Sequence, residues 1–87
     1  MTIFEKKQSL LAVELDRYVM EHPEFAARIP RGAQIVIEVE GEKRFNAWAR
    51  SLAARQREPG QPVVRVRTKG LMPARSRLES PVIRQVR

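Results

Sequence analysis

Between Gln34 and Lys69 the chain reads as strand, helix, strand, and that order constrains the fold more than any other feature. Gln34–Glu40 is a β-branched run in which Ile35, Ile37 and Val39 point one way and Val36, Glu38 and Glu40 the other. Gly41 interrupts it. Over Glu42–Arg57 the apolar residues Phe45, Trp48, Ala49, Leu52 and Ala53 recur at helical spacing, and Arg55 and Arg57 suit the negative end of the helix dipole. Pro59-Gly60-Gln61-Pro62 stops this helix. Val63–Lys69 then sets Val64, Val66 and Thr68 on one face against Arg65, Arg67 and Lys69 on the other. A helix joining two strands implies a parallel pair with a right-handed crossover. Each strand has one apolar and one charged face, whereas a sheet covered on both sides wants two apolar ones. The expectation is therefore a small two-layer α/β sandwich with both long helices on one face and the charged side of the sheet turned away from them. Trp48, flanked by Phe45 and Leu52, is expected to be the main buried aromatic, with a cost of about 3–5 kcal/mol on truncation to alanine.

Upstream, the spacing predicts a helix over Ile3–Glu21. Phe4, Leu11, Leu15, Tyr18 and Val19 fall in one sector, and Leu10, Val13 and Met20 in a second. Either both sectors are buried within one molecule, or the second is a subunit contact, a common route to stability for small chains. Pro23 ends the helix, Pro23–Arg28 reads as a short one, and Ile29-Pro30-Arg31-Gly32 as a turn. Residues 1–70 thus form one domain. Residues 71–87 form a basic tail, either partly mobile or adding Val82-Ile83-Arg84-Gln85-Val86 as an edge strand.

With 87 residues, folding can bury about 64% of the chain's surface, enough for one modest core. Cysteine is absent and histidine occurs once, which removes disulfides, thiol nucleophiles, zinc–thiolate sites and multi-histidine metal sites. No stretch has the length of a membrane span or the pattern of a signal peptide, so a cytoplasmic protein without membrane attachment is expected. His22 belongs to no recognisable nucleophile motif and reads as a helix-end residue. Glu38, Glu40 and Glu42 beside Gly41 are the right donors for a magnesium ion but lack the spacing of any metal site. They read instead as partners of the second strand and of the helix start. No catalytic, cofactor or metal site is therefore expected, and the chain reads as a non-enzyme.

Charge carries the functional reading. Residues 1–40 hold five basic and seven acidic side chains; residues 41–87 hold twelve basic and three acidic ones, an excess of nine positive charges. Such a half attracts an anionic partner, either nucleic acid or an acidic protein. Arg65, Arg67 and Lys69 line one strand face about 7 Å apart, close to the phosphate spacing of a nucleic-acid strand. In a parallel pair, Glu38 and Glu40 face the same cations and reduce their availability. Lys43, Arg50 and Arg57, seven apart, form a second row on the helix, expected on the opposite side of the sheet. Arg75, Arg77, Arg84 and Arg87 supply a basic arm. No aromatic on the second strand can stack a base, so sequence-indifferent binding is expected. A protein-interaction or homodimerisation module built on the first helix is the alternative.

Arg17-Tyr18, His22-Pro23-Glu24-Phe25-Ala26, Ile29 to Val36, Gly60 to Arg67 and Ser76-Arg77-Leu78 together resemble a small bacterial family known only as a domain of unknown function. The likeness covers most of residues 10–78. The family's strand-to-helix turn is longer and more acidic than Val39-Glu40-Gly41-Glu42. The resemblance implies no activity and assigns no catalytic residue.

Overall fold

A computed structural model describes residues 2–86. Helix α1 spans Ile3–Glu21, α2 Pro23–Ala26, strand β1 Gln34–Val39, α3 Lys43–Gln56 and β2 Val63–Thr68. The strands pair in parallel, Gln34 opposite Val63 and Val39 opposite Thr68. The domain is small and mixed α/β, with the helix-joined parallel pair that the order of its elements requires.

The boundaries follow from local chemistry. Thr2 and Glu5 form a capping box at the start of α1: Glu5 N–H donates to Thr2 Oγ1 (3.1 Å) and Thr2 N–H to Glu5 Oε1 (3.0 Å). At the other end, His22 Nδ1 lies 2.9 Å from the Tyr18 carbonyl oxygen and its ring stacks on the Tyr18 ring. A carbonyl only accepts, so Nδ1 carries the proton; His22 is committed to closing the helix. Gly41, at φ +83°, turns the chain from β1 into α3 through the left-handed region that a side chain would strain. Arg57 is extended and lies just past α3.

The buried core is Leu11, Val36, Val39, Phe45, Ala49 and Ala53, with Phe4, Ile37 and Trp48 packed at its margin. Phe45 is its central aromatic, edge-on to Phe4 at 5.7 Å. Trp48 is only half-buried, on an open groove with Thr2, Glu5, Leu52 and Arg55, which corrects the expectation that it anchors the core.

The separation into an apolar covered face and a charged solvated face also fails, on β1. Val36 and Glu38 project from one face and Val39 from the other, yet all three are buried. The cause is the way α3 meets the strand. Gln34 and Glu40 direct their N–H groups to β2, onto Pro62 O and Thr68 O at 2.8 Å, so the alternate residue Val39 presents its main-chain groups at the opposite edge. There the Asn46 side chain takes the place of a neighbouring strand: Val39 N–H donates to Asn46 Oδ1 and Asn46 Nδ2 donates to Val39 O, both at 2.8 Å. Helix α3 is thereby held at the free edge of β1. Strand β2 remains peripheral, with Val63, Arg65 and Arg67 exposed and Val64, Val66 and Thr68 half-buried.

Only Leu11 of α1 is fully buried. The second apolar sector stays outside, with Leu10 51%, Val13 48% and Met20 82% exposed, so the reading in which both sectors are buried within one molecule is corrected. A sheet of two strands is too narrow to cover more than one side of the helix. Residues 71–86 carry no helix or strand and are exposed throughout; the edge strand expected over Val82–Val86 does not form. Arg87 lies outside the described residues. Among the described residues no helix is long and apolar enough to cross a membrane.

Candidate nucleic-acid interface

The asparagine clamp sets the position of the basic residues. With Asn46 fixed to Val39, residue 50 lies one helical turn further on, beside the preceding strand residue on the same edge of the domain. Arg50 Nη1 accordingly donates to Glu38 Oε2 at 2.8 Å. From β2, Arg65 engages both carboxylate oxygens, Nε to Oε2 and Nη2 to Oε1, each at 3.0 Å. Arg67, directly across the ladder from Glu38, places Nη2 3.6 Å from Oε1. One carboxylate, its side chain 2% exposed, therefore braces three guanidinium groups whose side chains are 46, 57 and 62% exposed.

Two consequences follow. The local charge is one negative against three positive, so the face keeps a surplus of two. Donors also remain: of five N–H groups on each arginine, Arg65 uses two on Glu38 and Arg50 one, while Arg67 makes an ion pair beyond hydrogen-bond length. The remaining N–H groups are free to meet an external anion.

The arrangement corrects the expected geometry. Arg50 of α3 and Arg65 and Arg67 of β2 stand on one side of the sheet and share a partner, instead of lying on opposite sides. The other expected residues are not part of the cluster. Lys43 lies seven residues before Arg50, about 10 Å along the helix axis, and is exposed. Arg57 leaves the helical row and donates from Nε to Gln61 O at 2.7 Å. Lys69 follows β2 and is exposed, as are Arg75, Arg77 and Arg84 in the tail. The three carboxylates also part company: Glu38 is held by arginines, Glu42 pairs with Lys7, and Glu40 is exposed. No group of acidic or histidine side chains among the described residues is arranged to hold a metal ion. Asn46 is the residue that sequence reasoning missed. Its one signal was a polar side chain adjoining Phe45 on the buried stripe.

Hydrogen bonding from Arg65 foremost, opposed by burial and reinforced by Arg50, holds the Glu38 carboxyl below its ordinary value of 4.5; the same bond raises Arg65. A carboxyl whose value is lower folded than unfolded stabilises the fold above the unfolded value and loses that contribution as pH falls through the folded one. The wild-type protein is thus expected to lose thermal stability below about pH 4.5 more steeply than Glu38→Gln, which has nothing to protonate there. Melting curves between pH 2.5 and 7 check this; parallel acid limbs would show that the brace contributes nothing to stability.

No curated protein and no solved structure matches the chain significantly. A family model described as a family of unknown function, DUF5647, matches residues 3–81. That span takes in every helix and strand, the Glu38 cluster and the tail as far as Pro81. The chain belongs to the DUF5647 family.

Proposed function

We propose that this domain is a non-catalytic binder of polyanions, with nucleic acid as its first partner, and that Arg50, Arg65 and Arg67 form the centre of its contact surface. The observation that carries the reading is the convergence of these three exposed arginines, from two elements, on one buried carboxylate. Glu38 holds their guanidinium groups, so less side-chain freedom is lost when an anion arrives, while the surplus charge attracts it. Lys69 follows β2, and with Lys43 and the tail residues Arg75, Arg77 and Arg84 it adds exposed positive charge to the molecule. The aromatics lie elsewhere: Phe4, Phe45 and Trp48 pack together, and Tyr18 and Phe25 meet at the end of α1. With no ring on this face to stack a base, the contacts are to phosphates, and binding is indifferent to base sequence.

The test is fluorescence anisotropy with labelled duplex DNA and single-stranded RNA at several salt concentrations. On duplex DNA each phosphate neutralised contributes a slope of about −0.9 in log affinity against log salt. Arg67→Gln is expected to reduce the slope by about one unit, and Arg65→Gln with Arg67→Gln by about two, with no change in base preference. No binding at low salt, or a slope untouched by both substitutions, would overturn the proposal.

A further inference from the structure

The three arginines around Glu38 form a tight group and not a track. Arg50 Nη1 and Arg65 Nε both meet Oε2, at 2.8 and 3.0 Å, while Arg65 Nη2 and Arg67 Nη2 lie 3.0 and 3.6 Å from Oε1. Two donors on one oxygen stand within about two hydrogen-bond lengths of each other, ~6 Å. Three guanidinium groups so placed are within reach of a single anion. Along α3 the positive row breaks up, since Lys43 lies about 10 Å away along the axis and Arg57 is bound to Gln61 O. The Glu38 side chain is 2% exposed and those of the arginines 46, 57 and 62%, so an arriving anion meets guanidinium N–H groups and not the carboxylate.

We infer, on the polyanion reading of this surface, that the ligand this group prefers is a terminal phosphate monoester, the phosphorylated end of a nucleic-acid strand. Two matches select it over the internal phosphates of the same strand. The first is charge. The group has a surplus of two positive charges; a phosphate monoester carries about −1.5 to −2 at pH 7, and an internal diester only one negative charge. The second is the number of acceptors. A monoester offers three strong acceptor oxygens, one for each guanidinium, whereas a diester has two that are not bridging. At a strand end the nucleotide lies on one side of the phosphorus only, so all three oxygens can face the protein. Arginine suits such an anion, because its planar fork sets parallel N–H groups against two oxygens and stays charged at any working pH. Arg67 brings the most free donors, since it holds Glu38 only through an ion pair beyond hydrogen-bond length.

Fluorescence anisotropy with an internally labelled single-stranded 12-mer, in about 50 mM salt, tests the inference. The 12-mer carries a 5′-phosphate, a 3′-phosphate, or hydroxyls at both ends. A terminal phosphate is expected to tighten binding about tenfold, the scale of one or two charge-assisted hydrogen bonds. Arg67→Gln is expected to remove most of that gain while hydroxyl-ended 12-mer still binds. The substitution leaves the hydrogen bonds of Arg50 and Arg65 to Glu38 in place, so the brace survives it. Inorganic phosphate at the concentration of the 12-mer is expected not to displace it; displacement would assign the group to free phosphate and overturn the strand end as its source. Equal affinity for all three 12-mers, with a salt slope still lowered by Arg67→Gln, would overturn the inference and leave the polyanion reading standing. No binding of any 12-mer at low salt would overturn both.

Discussion

Phe45→Ala is expected to destabilise the domain by about 3–5 kcal/mol, the range for emptying a buried aromatic site. Phe45 is 2% exposed and joins what would otherwise be separate pieces: Phe4 of α1 meets it edge-on, Trp48 of its own helix lies 5.9 Å away, and both belong to the cluster that includes Val36 and Val39. The core is short of large side chains. Two of its six members are alanines, so neighbours have little bulk with which to close the void. A chain of this length typically has about 4–13 kcal/mol of total stability, so the variant is expected to be near or beyond the threshold of folding at room temperature. Trp48→Ala is expected to cost less despite the larger ring, because part of the indole already faces water. Urea denaturation of the two variants, with helix content as the signal, checks the order. An equal or greater loss for Trp48→Ala would place the centre of the core at the indole.

Asn46→Ala is expected to cost about 1–3 kcal/mol, above the usual effect of removing an uncharged helix side chain. The substitution leaves the Val39 N–H without a partner where the residue is 3% exposed, and its C=O with only the Glu42 N–H at 3.1 Å; a buried polar group so orphaned costs about 1–3 kcal/mol. Asn46→Asp does not repair this. A carboxylate still accepts from Val39 N–H, but it sets a negative oxygen against the Val39 carbonyl and has no donor to offer. Exchange of the Val39 amide hydrogen is expected to accelerate in both variants, and Arg50, one turn along, to lose its fixed approach to Glu38. A loss under about 0.5 kcal/mol for Asn46→Ala, with Val39 exchange unchanged, would mean that water replaces the side chain and the clamp is dispensable.

The elements were legible because each rests on neighbours in sequence. Alternating β-branched residues mark both strands, the Phe45–Ala53 stripe marks α3, and Pro23, Gly41 and Pro59-Gly60 mark breaks that no packing needs to enforce. The parallel pairing followed as well, since a strand, a helix and a second strand leave little choice of topology. The surplus of positive charge in residues 41–87 is likewise a property of the sequence, whatever the fold.

How those elements meet was decided by tertiary structure alone. Periodicity places Glu38 on the charged side of β1 but does not say whether a helix approaches that side, the other, or the edge. In the folded domain Asn46 bonds to both main-chain groups of Val39 where α3 meets the free edge, and Arg50, one turn along, reaches a carboxylate that the strand alternation assigned to β2. Such a contact joins residues seven apart through a side-chain amide and leaves no periodic trace. The exposed apolar sector of α1 has the same origin. The helical spacing shows two apolar sectors, but only the width of the finished sheet determines that one of them is left outside.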